Sequence, residues 1–298
     1  MKNEDFRKYY EINKGRIGEG WLSVVYKAKN KKTNEKKAIK VLNINKLRYN
    51  FNKCNLRDAN DNDVKSFIND FIKETENMKL IEGENKDNKN TVKFDECFMT
   101  DKELSIVMEL CDDNLMNFLI ERKTSFSSNE IYGILSQLNN TFQLLVKKKL
   151  VHRDLKLENI LVKYENKEKT KYILKLSDYE VTKKLKTFTE KCTKRVGTLK
   201  YMAPEILQGH EYGRECDLWS LGVIIYTLFF KEFPFDGETD EVLIKQINYI
   251  NDNHLIKKTG NKDLDDLIGK LLIKDPIKRI SWKQYFNHPF FKNSKCIL

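Results

Sequence analysis

The sequence predicts an α+β chain, with a small β-rich part followed by a larger, mainly helical part. Residues 10–42 alternate apolar and polar positions, the period of extended strands, and Gly18 and Gly20 break the run. After about residue 114 the spacing turns helical, over Leu115–Ile120, Ile131–Val146 and again beyond Pro204. Strands gathered ahead of helices, with no repeating period, point to segregated α+β layers.

The elements follow in order. The glycine break after residue 17 separates two antiparallel strands, and Ala38-Ile39-Lys40-Val41 forms the next one. Residues 43–63 are rich in Asn, Lys and Asp and read as an exposed insertion. Val64, Phe67, Ile68, Phe71, Met78 and Ile81 then recur at helical spacing, predicting a helix over 64–80. A polar loop, 82–90, precedes strand-like Thr91–Phe98 and Leu104–Leu110. Ile160–Val162 and Tyr172–Leu176 read as a strand pair around the charged loop 164–171. Trp219–Phe229 and Leu264–Ile273 are helical.

Composition excludes more than it assigns. No apolar run approaches the roughly 20 residues needed to span a bilayer, and MKNEDFRKYY has no signal-peptide core. The six cysteines (Cys54, Cys97, Cys111, Cys192, Cys216, Cys296) include no Cys-x-x-Cys pair. A disulfide framework or zinc site is therefore not expected, and a reducing compartment, cytoplasmic or nuclear, is. The net charge of +11 raises nucleic acid as a partner. The lysines are spread along the whole chain with no recognition helix or stacking motif, so a solvated surface is the preferred reading.

The stretch Val151-His152-Arg153-Asp154-Leu155-Lys156-Leu157-Glu158-Asn159 matches H-R-D-x-x-x-x-N without departure. With Gly197-Thr198-Leu199-Lys200-Tyr201-Met202-Ala203-Pro204-Glu205 and Cys216-Asp217-Leu218-Trp219-Ser220-Leu221-Gly222, the chain resembles the eukaryotic serine/threonine protein kinases over about residues 8–292. The resemblance implies a single bilobal domain over 1–298. Its N-lobe would span about 8–108 with one regulatory helix, its hinge 109–113, its mainly helical C-lobe 114–292, and its tail 293–298.

The resemblance also assigns roles. Asp154 would be the catalytic base, Asn159 and Asp178 ligands of Mg2+, Lys156 a contact to the transferring phosphoryl group, and Thr198 a partner of Asp154. Lys40 would hold the α- and β-phosphates of ATP. Its helix partner would be Glu74, with Glu76 as the alternative on a different side of the helix. Ile17, Gly18, Gly20 and Val25 would cover the nucleotide, although Ser23 stands where the family has a third glycine. Ala38, Met108 (as gatekeeper) and backbone groups of Glu109 and Cys111 would receive the purine. Asn114 or Asp113 would reach the ribose. Asp217 would hold the catalytic-loop backbone, and Arg279 would pair with Glu205.

The strongest departure is Ser177-Asp178-Tyr179-Glu180-Val181, where the family has Asp-Phe-Gly. Tyr179 would replace Phe in an apolar stack with Met78, Phe94 and His152. Glu180 replaces a flexible glycine and is expected to hold the loop in one conformation, with Asp178 turned in. A nucleotide-binding scaffold without turnover is the alternative that Glu180 and Ser23 raise.

Arg153 suggests control by a phosphate on the activation segment 178–205, placed there by an upstream kinase or by the chain itself. The usual acceptor position is Lys194, so Thr193 is the first candidate, ahead of Thr189 and Thr187. The substrates would be proteins. Glu158 resembles the acid that basophilic kinases use, giving a slight lean to basic Ser/Thr sites, although Thr227 stands where a second acid is expected. The 164–171 insert and the stretch 282–291 resemble calcium/calmodulin-dependent and autophagy-initiating kinases. No calmodulin-binding segment is visible after residue 292.

Overall fold

A computed structural model describes residues 1–19, 23–46, 61–83, 88–252 and 256–293. Its contacts divide the chain into two compact units, Met1–Asp112 and Asp113–Leu298.

The first unit is built on a five-stranded antiparallel sheet. Its strands are β1 (Tyr10–Glu19), β2 (Ser23–Asn30), β3 (Lys36–Asn43), β4 (Phe94–Met99) and β5 (Glu103–Glu109), in the order β1-β2-β3-β5-β4. β3 lies in the centre, so residues 38–42 are all buried rather than alternating. One face of the sheet packs Ala28, Ile39, Val41, Phe98 and Val107 into a core. Phe6 joins this core from the N-terminal segment and Tyr10 from the start of β1. Lys2 pairs with Phe98 in a parallel bridge, its amide donating to Cys97 O and its carbonyl accepting from Met99 N, both at 2.9 Å. Lys2 thus covers part of the open edge of β4. The segment ahead of residue 8, which the sequence reading left outside the N-lobe, is part of the unit.

The helix of this unit, α1, spans Asp61–Glu82. The expected insertion 43–63 is therefore shorter than its composition suggested. Ile44 is buried and 61–63 are already helical, because Asp and Asn favour helix starts as readily as loops. Residues 47–60, the middle of that insertion, lie outside the described residues. The strand expected over 91–98 begins at Phe94 and runs to Met99.

The second unit opens with β6 (Asp113–Asn114), α2 (Leu115–Glu121) and α3 (Ser128–Lys147). Then come β7 (Leu150–Val151), β8 (Ile160–Tyr164), β9 (Tyr172–Leu176) and β10 (Lys183–Lys184). β6, β8 and β9 form one small sheet, and β7 pairs with β10. The helices α4 (Pro204–Leu207), α5 (Glu215–Phe230), α6 (Asp240–Asp252), α7 (Lys262–Leu271), α8 (Trp282–Phe286) and α9 (Pro289–Asn293) complete it. α5 is buried along nearly its whole length, so apolar residues occupy all its faces. Gly222 on α5 has a specific reason to be glycine. A Cβ there would meet Leu271 Cβ at 2.9 Å and Leu272 Cδ2 at 2.8 Å, so the close approach of the α7 end requires its absence.

α3 starts at a capping box. The Ser127 hydroxyl accepts from Glu130 N, and the Glu130 carboxylate accepts from Ser127 N at 2.8 Å. Ser127→Ala is expected to cost about 1 kcal/mol by loss of this cap, measurable as a lower urea midpoint.

Candidate active site

In the first unit, the residues expected to bind nucleotide gather on one face of the sheet. Ile39 and Val41 point into the core, so Ala38 and Lys40 point to the opposite face. Val25 pairs with Lys40 across β2 and β3, and Gly18 pairs with Val25 across β1 and β2. Ala38 pairs with Met108. Directly opposite residues share a face, so Gly18, Val25, Lys40, Ala38 and Met108 form two adjacent rows. A Cβ at Gly18 would touch Val25 at 3.5 Å, an ordinary contact. Ile17 is exposed, Gly20 lies outside the described residues, and Ser23 is buried.

Lys40 is buried, and its ammonium donates to Glu74 Oε1 at 3.1 Å and Oε2 at 2.9 Å. Glu74 lies on the buried stripe of α1 with Phe71, Thr75, Met78 and Ile81, the spacing of one helix face. Glu76 is exposed, so the pairing falls to Glu74 and not to the alternative. The Glu109 amide donates to Lys93 O at 2.9 Å. Cys111 is half-buried.

In the second unit, the loop 152–159 is fastened from below. The buried Asp217 accepts from His152 N at 2.7 Å and from Arg153 N at 2.8 Å. Burial pushes its carboxyl up, against the pull of His152 and these two amides. Leu155 and Leu157 are fully buried between the functional positions, which leaves Asp154 and Lys156 part-exposed. Arg153 adopts φ 68°, turning the chain at the residue before Asp154.

Four side chains then converge. Thr198 Oγ1 donates to Asp154 Oδ1 at 2.7 Å, and Lys156 Nζ lies 2.8 Å from Asp154 Oδ2. Lys156 also donates to Thr198 Oγ1 at 2.8 Å. Asn159 Nδ2 donates to Asp154 O at 2.9 Å and to Asp154 Oδ2 at 3.1 Å. Gly197 allows this closure. It sits at φ 113°, and a Cβ there would meet Arg153 O at 2.6 Å.

Asn159 O accepts from both the amide and the hydroxyl of Ser177, each at 2.9 Å, which binds the loop to the segment carrying Asp178. Asp178 takes a left-handed φ of 61°. Tyr179 is fully buried, with its ring 5.3 Å from that of His152. Asn114 Oδ1 caps α2 by accepting from Asn117 N at 3.0 Å. Asp113 Oδ1 accepts from Asn114 N and Asn117 Nδ2. The two ribose candidates are thus both used in starting a helix. Glu158 is exposed and accepts from Tyr201 Oη at 3.3 Å. Thr227, where a second acid is expected, is buried.

Comparison with known proteins gives the same reading. Residues 10–291 match the family described as protein kinase domain. The chain belongs to the protein kinase family. It is 31% identical over 282 residues to serine/threonine-protein kinase 33 of Bos taurus, covering 92% of this chain and 54% of that protein. Calcium-dependent protein kinase 5 of Plasmodium berghei is 30% identical over 98% of this kinase chain and 47% of its own length. Myosin light chain kinase A of Dictyostelium discoideum is 30% identical over 97% of this chain and 90% of its own length. The chain thus spans about half the length of the first two relatives. The family is that of the eukaryotic serine/threonine kinases, ATP-binding transferases of mixed α+β fold.

Three features of this kinase were not anticipated from the sequence. The N-terminal cover of β4 is one. Tyr212 is the second: it bridges Cys192 by two backbone hydrogen bonds of 2.7 and 3.0 Å, and its hydroxyl donates to Lys194 O at 2.6 Å. The third is Glu190, which pairs with Lys183 at 3.0 Å. It is the one acid between residues 183 and 195, a signal the sequence did offer.

Proposed function

We propose that this kinase transfers the γ-phosphoryl group of ATP to serine and threonine hydroxyls of protein substrates, with Asp154 as catalytic base. The carrying observation is the convergence of Thr198, Lys156 and Asn159 on Asp154. The substrate hydroxyl oxygen forms a bond to the γ-phosphorus, and the bond to the β–γ bridging oxygen breaks, releasing ADP. The hydroxyl proton passes to the Asp154 carboxylate. Thr198 and Lys156 fix that carboxylate, and Lys156 supplies positive charge for the phosphoryl oxygens.

Lys40, oriented by Glu74, binds the α- and β-phosphates. Ile17, Gly18, Gly20, Val25, Ala38 and Met108 enclose the nucleotide, with backbone groups of Glu109 and Cys111 for the purine and Asn114 for the ribose. Asn159 and Asp178 are the Mg2+ ligands. The oxygen donors suit that hard cation, and the two hydrogen bonds given by Asn159 Nδ2 turn its Oδ1 to the other side of the amide. Bound magnesium would neutralise charge on the phosphates. Glu158 favours substrates with a basic residue near the acceptor. The described cysteines 97, 111, 192 and 216 form no disulfide with one another, in keeping with a cytoplasmic or nuclear setting. No described helix is long and apolar enough to cross a membrane.

The test is phosphate incorporation from labelled ATP into a generic basic protein, with magnesium and with chelator, beside a thermal shift with ATP. Magnesium-dependent incorporation and an ATP-raised midpoint are expected. A thermal shift without incorporation would replace the enzyme by a nucleotide-binding scaffold.

A further inference from the structure

The activation segment lies fastened along the second unit by its own backbone and side chains. Leu185 is buried, and its amide donates to Lys149 O at 2.8 Å. Lys149 Nζ donates back to Lys186 O at 3.0 Å. Phe188 is held under two cations, Lys149 Nζ at 5.3 Å and Arg214 Cζ at 5.0 Å from its ring centre. Cys192 is buried in its two-bond bridge to Tyr212. Beyond it, Arg195 grips Asp240 with two bonds of 2.7 and 2.9 Å.

At the centre of this stretch is an anion. The Glu190 carboxylate accepts from the backbone amide of Lys186 and pairs with Lys183 Nζ at 3.0 Å. Lys183 also donates to Lys191 O at 3.1 Å, closing the loop on the strand β10 where it began. These partners hold the Glu190 carboxyl below the usual carboxylate range, the Lys186 amide contributing most. Arg153 is engaged as well: its Nε donates to Val181 O at 2.6 Å and its Nη1 to Tyr212 Oη at 3.4 Å. Thr193, the expected phosphate acceptor, is exposed.

We propose that Glu190 is a built-in anion of the activation segment, neutralising Lys183 so that the segment is ordered with no phosphate on Thr193. A charge that a regulated kinase would gain by modification is here encoded by the chain. The consequence for activity rests on the kinase reading given above, whereas the consequence for order does not.

The experiment uses the full chain, produced with a phosphatase and shown by intact mass to carry no phosphate. Amide hydrogen exchange over residues 183–194 is followed for wild type, Glu190→Gln and Thr193→Ala, and peptides from α5 report whether each variant is folded. Glu190→Gln is expected to speed exchange in the segment by about tenfold or more, by loss of a charge-assisted contact. Thr193→Ala should match wild type. Phosphotransfer is measured in parallel, with Asp154→Asn as the blank. Phosphorylated and unphosphorylated wild type should agree in kcat/KM within about threefold. Unchanged exchange in Glu190→Gln, or a tenfold gain in kcat/KM on phosphorylation of Thr193, would overturn the proposal. Wild-type activity equal to the blank would remove the kinase reading alone, with the exchange result still deciding the role of Glu190.

Discussion

Asp154→Asn is expected to lower kcat by about 10²–10⁴-fold, the usual contribution of a positioned general base. The substitution keeps the shape of the side chain and removes its ability to take a proton. Asp154 Oδ1 accepts from Thr198 and Oδ2 faces Lys156 and Asn159, so every direct neighbour is a donor. An amide NH2 must then face one of them, at a cost of about 1–3 kcal/mol for an unsatisfied buried contact. The side chain is only 12% exposed, so water relieves little of that cost. The stability loss is accordingly expected to be smaller than the loss in rate. Steady-state assays at saturating magnesium and ATP, with circular dichroism of the variant, separate the two. Incorporation equal to wild type would remove Asp154 from the chemistry.

The cluster around Asp154 was legible because its residues lie on loops whose geometry a short contiguous pattern dictates. Between His152 and Asn159, alternate leucines bury themselves and force Asp154 and Lys156 outward. Gly197 can be read for the same reason, since Arg153 O leaves no room for a side chain there. Glu74 was preferred over Glu76 because the resemblance places an apolar residue at Met78, and burial of Phe71 and Met78 puts Glu74 on the same stripe. Strand period gave the segments that pair in this sheet, though not their order, and missed ends such as Thr91–Lys93.

What the sequence hid depends on contacts between distant residues. Phe6 sits in a charged segment, and nothing local says that Val41, Phe98 and Val107 await it. Composition misread 61–63 as loop, because asparagine and aspartate serve turns and helix starts alike. Glu190 looked like one more charge in a basic stretch. Its partner Lys183 is seven residues away on a strand, a relation set by how the segment folds back and not by any period.

The largest effect on stability is expected at Arg279, which was expected to pair with Glu205. Both side chains are almost wholly buried, at 0% and 5% exposure. All five N–H donors of the guanidinium have acceptors. Nη1 gives one to Glu205 Oε1 at 2.8 Å and one to Glu215 O at 3.0 Å. Nη2 gives one to Glu205 Oε2 at 2.8 Å and one to Lys274 O at 3.4 Å. Nε gives the last to Ile273 O at 3.0 Å. Trp219 lies against the cation, 5.2 Å from its ring centre. Arg279→Met therefore leaves the Glu205 carboxylate buried without a counter-charge and removes a donor from three backbone carbonyls. The expected loss is about 3–5 kcal/mol, seen as a melting midpoint lowered by on the order of 10 °C for a unit of this size. Glu205→Leu alone should cost a similar amount, now by burying an unpaired guanidinium. The double variant is the sharper measurement. With both charges gone, the desolvation penalty disappears with the attraction, and it should be more stable than the sum of the single losses by about 1–3 kcal/mol. Strict additivity, or a loss below about 1 kcal/mol in either single variant, would mean that the pair is incidental to holding the end of the activation segment against the C-terminal helices.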